Sequence, residues 1–432
     1  MNRNLWLFAG VAVLYLFTGM FYSWNLTLNI LNLGILSAIM ALGVNIQWGY
    51  AGLFSTGVVG SVALGGLAVV LISGNPVPEG FAAGGTRIFS ALAFAAVVIA
   101  AISLTYRRMT PGRVRSVAII LAMIVAFVIY RVLLDPGVTA VETNNPEQAG
   151  NIGGLGWNPL IAWPVGALLA AAAAWVIGKI ALGLREDYLA IATLGIAEIV
   201  VAVLKNEDWL ARGVKNLGLY QRPWPVPYEV DLQVNPAFLA FANSIGGDPV
   251  TTSTILVKLL YAGMFTLVLV GLIFLSERAL NSPWGRMMRA IRDNEVAASA
   301  MGKHVTKRHL QIFIIGSAVV GLGGAMYTSM IAQINPGEYI PLRFTFLIWV
   351  MVIVGGSGNN WGSVLGGLLI GWLYFIVEDV GPRIMALVTM GMPDGDLRSH
   401  LIDSSQHLRL VTLGVILLLV LRFAPKGLLP EK

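Results

Sequence analysis

Residues 253–276 read STILVKLLYAGMFTLVLVGLIFLS, 24 residues with one charge, Lys258. At 1.5 Å rise per residue such a helix reaches roughly 36 Å, enough to cross a hydrocarbon core of roughly 30 Å. Eleven further apolar runs lie near 5–23, 26–47, 53–73, 88–106, 114–134, 159–182, 186–204, 308–333, 342–356, 361–380 and 409–422. The set predicts an all-α, polytopic helical integral membrane protein with about 10–12 transmembrane segments, some broken or re-entrant. Composition agrees. The chain has 432 residues, of which 57% are hydrophobic and 12% charged, against roughly a quarter charged in soluble domains. So little polar surface cannot cover a water-soluble fold. Disorder, collagen and disulfide scaffolds are excluded as well.

The absence of cysteine removes thiol nucleophiles, disulfides and Cys-based zinc sites. Leu5 to Tyr22 is as long as a full span, and no small residues follow it at cleavage spacing, so it reads as a retained first helix.

Basic residues set the orientation. The 106–115 loop carries Arg107, Arg108, Arg113 and Arg115 with no acid. The 277–309 loop carries Arg278, Arg286, Arg289, Arg292, Lys303, Lys307 and Arg308, and the tail carries Arg422, Lys426 and Lys432. Asp135, Glu142 and Glu147 stand without a base in 135–158. An even number of crossings with both termini cytoplasmic puts every basic loop inside. The chain then reads as one transmembrane domain over 1–432. Its 277–307 loop is cytoplasmic, and the long Pro-rich loop 205–252 is outside.

Two segments are interrupted. Leu342 to Gly356 is too short for the core and runs into Gly355-Gly356-Ser357-Gly358-Asn359-Asn360. The third segment follows Gly49-Tyr50-Ala51-Gly52 and is broken again at Gly57 and Gly60. Bare backbone at membrane depth needs cover from protein or a water-filled cavity. Such breaks either line a translocation path or let helices pack closely through small residues. Gly358, Gly362 and Gly366, with Gly367 and Gly371, form a ladder at spacing four that favours packing. Asn45, Gln47 and Ser55 flank the first break, and Ser357 and Asn359 sit in the second. All five are candidate path residues. Glu198 is a sixth. It lies mid-segment, where an unpaired charge costs at least a few kcal/mol, so it should face the bundle interior or water. A packed, hydrogen-bonded Glu is the alternative. Lys258 and Arg131 can snorkel to the interface.

Several chemistries are missing from the sequence. There is no G-x-x-x-x-G-K-[ST] phosphate loop, no G-x-G-x-x-G and no G-x-S-x-G. His304, His309, His400 and His407 make no H-E-x-x-H. No catalytic residue, metal site or cofactor is expected.

Residues 281–311 read NSPWGRMMRAIRDNEVAASAMGKHVTKRHLQ. Ser282-Pro283 is a helix start, with a capping side chain and Pro at the first helical position. Met287, Met288, Ile291, Ala298 and Met301 recur near helical spacing, with Arg286, Arg289, Arg292, Asp293 and Glu295 between them. The pattern predicts one short amphipathic helix on the cytoplasmic face. Arg286 in its first turn opposes the helix dipole, so lipid head groups or an acidic partner should favour that charge. Physics alone leaves an interfacial helix and a docking helix both open.

The segment 282–310 closely resembles the cytoplasmic segment of LivM-type permeases, the membrane subunits of branched-chain amino acid ABC importers. Three other stretches are similar to family segments in the same order: GYAGLFSTGVVGSVALGG at 49–66, GLREDYLAIATLGIAEIV at 183–200 and VMVIVGGSGNNWGSVLGGLLIG at 350–371. The resemblance implies that 283–302 is the coupling helix seated in the ATP-binding subunit. Arg286, Arg289, Arg292, Asp293, Glu295, Met301 and Gly302 would then be docking residues. It implies as partners a LivH-like second permease subunit, two ATP-binding cassette subunits and a periplasmic solute-binding protein, in the bilayer of a bacterial inner membrane and with no nucleic acid. Relative to shorter members, 74–158 looks like an insertion of two spans and an outer loop.

The chain departs from the family where Ser55 is followed by Thr56, Gly57, Val58 and Val59, and where 212–216 read Arg-Gly-Val-Lys-Asn. These departures bear on the substrate. Urea or amide import is an alternative to branched-chain amino acids. An ATP-independent transporter or channel would need no docking helix, and an enzyme would need buried acids, bases or metal ligands.

Overall fold

The computed structural model describes residues 3–110, 112–144, 150–219 and 221–431. Glu147, counted above among the acids of the outer loop, lies outside the described residues. In chain order the main helices are α1 (Arg3–Phe21), α2 (Trp24–Ala51), α3 (Val58–Ser73), α4 (Pro78–Arg108), α5 (Arg113–Glu142), α6 (Pro159–Ala181), α7 (Glu186–Asn206) and α8 (Pro249–Leu280). They continue with α9 (Pro283–Asp293), α10 (Glu295–Ala300), α11 (Val305–Ile331), α12 (Leu342–Gly355), α13 (Asn360–Val388), α14 (Asp396–Ser404) and α15 (Leu408–Phe423).

Among the described residues nine helices are long and apolar enough to cross a membrane. The shorter α3 and α12, and the pair α14–α15 bent by 50°, account for the other apolar runs. The protein is an all-α polytopic membrane protein. A two-residue antiparallel ribbon, β1 (Leu217–Gly218) with β2 (Gln333–Ile334), ties the 205–252 loop to the end of α11.

Helix α2 lies at the centre, with α8, α11, α12 and α13 packed around it. Small residues allow that density. Lipid offers helices no hydrophobic drive to associate, so close backbone approach has to supply it. The glycine ladder of α13 serves two neighbours. A methyl on Gly366 would lie 1.9 Å from the Met351 carbonyl oxygen on α12, and one on Gly367 would lie 2.5 Å from the Ala38 Cα on α2.

Between α2 and α3 the chain is not helical. Gly52 ends α2 with φ +70°, the left-handed cap that glycine adopts without penalty. The exposed polar groups of the break find partners on other helices. The Thr56 amide donates to Thr193 Oγ1 (3.1 Å) and the Thr56 hydroxyl to the Ala190 carbonyl (2.6 Å). Trp349 Nε1 donates to the Ser55 carbonyl (3.0 Å), and the Val59 amide to Thr345 Oγ1 (3.1 Å). This accounting makes irregular backbone tolerable inside a bundle.

Helices α4 and α5 pack mainly on one another. Their own small core contains Ile88, Ala91, Leu134 and Val141, joined by Trp209. Chain entry and exit meet in a bridge between Pro76 and Gly153, extended by hydrogen bonds from Gly154 to the Asn75 carbonyl (3.2 Å) and from Gly156 to the Gly74 carbonyl (3.0 Å).

Candidate functional site

The segment after α8 is built as a tight reversal. Ser282 has extended backbone and Pro283 opens α9, as the sequence predicts. The Ser282 side chain makes no cap, however. Its hydroxyl donates to the Ala279 carbonyl (2.6 Å), which also accepts from the Ser282 amide (3.2 Å) at the end of α8. Gly285 is required here, because a methyl would lie 2.2 Å from the Leu280 carbonyl oxygen. Helix α9 then buries Gly285, Met288 and Ile291 against the bundle.

The single helix expected over 283–302 is two helices. Asn294 is extended (φ −158°, ψ 96°), and its side chain accepts from the Ala297 amide (2.9 Å) to start α10. An asparagine that caps a new helix outcompetes continuation of the old one. The apolar residues consequently divide. Met288 and Ile291 face the bundle. Val296 and Met301 point away from it, at 80% and 79% exposure. Asp293, Glu295 and Gly302 are exposed beside them.

The three arginines of α9 differ. Arg286 is exposed, and its Nη1 donates to the Asn281 carbonyl (3.2 Å). Arg289 is half-buried and donates to the Leu280 carbonyl (3.4 Å). The carbonyl end of α8 therefore offsets the unfavourable placement of Arg286 at the start of α9. Arg292 turns inward. Nη1 donates to the Gly49 carbonyl and to Glu431 Oε2 (2.8 Å), and Nε to Asp293 Oδ1 (3.1 Å). Burial weakens the hold on its proton, but the two carboxylates outweigh this, and its pKa lies above the usual guanidinium value. A cavity of 770 Å³ opens beside α9, lined by Arg286, Arg289, Arg292, Ser357, Lys426 and Glu431 among others.

The predicted path residues do not form one group. Asn45 is buried; its Oδ1 accepts from the Gly358 amide (2.9 Å) and its Nδ2 donates to Asn360 Oδ1 (3.3 Å). Asn360 in turn donates to Glu277 Oε1 at the end of α8 (3.0 Å). Gln47 donates to the Phe313 carbonyl (3.0 Å) and to Ser317 Oγ (2.9 Å). Gln47 and Ser55 border a 20 Å³ void with Thr193 and Ser317, room for one water and not for a solute. Asn359 caps α13 at the Trp361 amide (3.0 Å), and Ser357 lies half-buried in the same turn. Glu198 does not face the bundle interior of this chain. It is exposed, with Ile191 and Ile199, on the side of α7 turned away from α3 and α6. The helix stands at the rim, so only one of its faces is covered.

Sequence reasoning missed Glu431, which reaches Arg292 from a tail without periodicity. It also missed Glu277, which the apolar run of α8 hides. Among the described residues no group of three His, Asp or Glu side chains could hold a metal.

A family model described as the branched-chain amino acid transport system / permease component matches residues 149–421. The chain belongs to this permease family. The matched stretch contains α6 to α14 and most of α15, and with them the α9–α10 reversal and the glycine ladder.

The chain is similar to the probable branched-chain amino acid transport permease protein LivM of Methanocaldococcus jannaschii, with 29% identity over 272 residues, 61% of this chain and 67% of that protein. It is 28% identical over 272 residues to the high-affinity branched-chain amino acid transport system permease protein LivM of Escherichia coli, covering 62% of this chain and 56% of that protein. The match thus spans little more than half the length of the E. coli relative. A shorter stretch of 97 residues is 28% identical to the ribose import permease protein RbsC of Haemophilus influenzae. No solved structure matches the chain significantly.

Proposed function

We propose that the chain is a permease subunit of an ATP-driven ABC importer for branched-chain or related amino acids, working by alternating access. The observation that carries this reading is the exposed apolar pair of Val296 on α10 and Met301 at its C-cap, outside the apolar spans and within the family-matched stretch. Large apolar side chains flanked by Asp293, Glu295 and Lys303 suit a protein groove. The partner is an ATP-binding subunit. Arg286, Arg289, Asp293, Glu295, Met301 and Gly302 form the docking face, and Arg292 supports it from behind.

A second, LivH-like permease subunit completes the assembly, with two ATP-binding subunits and a periplasmic solute-binding protein. The chain sits in a bacterial inner membrane with both termini cytoplasmic. Nucleotide bound to the partner favours one conformation over the other, and that difference moves α9 and the spans behind it. ATP is hydrolysed by the partner. The solute path runs along the uncovered face of α7, where Glu198 is the exposed acid. Asn45, Gln47 and Ser55 hold the wall together from within, and Ser357 and Asn359 shape its cytoplasmic end. Residues 74–158 are an insertion, a reading supported by the Pro76–Gly153 closure.

The test is reconstitution of the chain with its partner subunits in proteoliposomes. Leucine uptake should require ATP and the binding protein. Uphill uptake by the chain alone, or uptake indifferent to ATP, would overturn the reading.

A further inference from the structure

We infer that residues 424–431 form a strap that makes α9 and the turn between α12 and α13 move as one body. Glu431 acts as its positioning residue. The inference rests on the permease reading for its consequence in transport, and on bonds within this chain for its existence.

The strap is attached at four places. Its backbone caps α12, since the Leu428 amide donates to the Val354 carbonyl (2.9 Å) and the Leu429 amide to the Gly355 carbonyl (2.9 Å). These are terminal acceptors that the helix itself leaves open. Its middle is wedged in place: Leu429 is buried, and Gly427 lies so close to Gly356 that a methyl on it would come within 2.3 Å of the Gly356 Cα. Asn359 Nδ2 donates to the Pro430 carbonyl (3.2 Å), fixing the start of α13 to the same segment. Finally, Glu431 takes the Arg292 guanidinium at 2.8 Å.

Arg292 belongs to α9, and Gly356 and Gly358 are the positive-φ residues of the α12–α13 turn. The strap therefore connects the helix set against a partner to the most irregular backbone of the glycine-rich segment. Asn45 fastens the other side of the same turn to α2. A displacement of α9 reaches the turn through Arg292 and Glu431 without passing through the length of α8. Without the pair, α9 can rock while the turn stays behind.

Two measurements test this. Hydrogen exchange on the purified full chain in nanodiscs, comparing wild type with Glu431→Gln, should show exchange in 424–431 and in 355–360 rising together by roughly fivefold, the scale of one partly exposed ion pair. The reversed pair Arg292→Glu with Glu431→Arg should bring both segments back toward wild type. In the reconstituted complex, Glu431→Gln should keep its ATPase rate while the ATP hydrolysed per solute moved rises by a similar factor. Faster exchange confined to 424–431, no recovery in the reversed pair, or an unchanged ATP-to-solute ratio would each overturn the strap. If the wild-type complex shows no ATP-driven uptake, the transport reading fails, and the exchange data still decide whether the linkage exists.

Discussion

Gly366 and Met351 are in backbone contact across α13 and α12, so close that a methyl at Gly366 would lie 1.9 Å from the Met351 carbonyl oxygen. Neither backbone can yield without opening the packing on both sides. Gly366→Ala should therefore destabilise the fold by about 1–3 kcal/mol, the range for overpacking a dense interior. Gly263→Ala, at a helical glycine with open space around it, is the control. Thermal unfolding in detergent should separate the two variants, and equal midpoints would refute the contact.

Asn45 serves two partners, the Gly358 amide and Asn360. Asn45→Leu leaves both in an apolar setting. A loss of about 1–3 kcal/mol is expected, with faster hydrogen exchange in 355–360. Gln47→Leu removes bonds to α11 instead and should leave exchange in 355–360 unchanged. Matching exchange patterns in the two variants would contradict the assignment.

Exposure on α10 separates docking from folding. Val296→Asp and Met301→Asp remove apolar surface that this chain does not cover, so melting should shift by less than about 0.5 kcal/mol. Co-purification of the ATP-binding partner should fall at least as far as with Arg286→Glu. Full recovery of the partner with both α10 variants would sink the docking face.

The closure at Pro76 and Gly153 makes the α4–α5 hairpin removable. Joining residue 76 to residue 153 deletes an even number of spans and keeps the direction of all that follow. The shortened chain should insert and elute as a single species on size exclusion. Trp209 loses the Glu142 carboxylate that accepts from its amide (3.3 Å), a local effect at the loop. Aggregation of the shortened chain would show that the hairpin is integral.

Spans were legible because an apolar run of sufficient length has few alternatives in a bilayer. The ladder through Gly362, Gly366, Gly367 and Gly371 was legible as packing for the same local reason. Which helices it would meet was not, since that depends on pairing across the chain. The break at Asn294 escaped notice because asparagine fits either a helix interior or a cap, and periodicity continues past it. Glu198 lies mid-segment as expected, on the exposed side of α7 rather than packed within this chain. Ile191 and Ile199 beside it are as apolar as any core residue, so the pattern cannot tell a covered face from a rim. Glu431 lies in a short irregular stretch where only the fold brings it to Arg292.

Glu198 on the open side of α7 bears on the fate of unassembled copies. A chain with nothing packed on this side leaves the acid toward lipid tails, where a charged side chain is costly. Orphaned copies are thereby the poorer-fitting form.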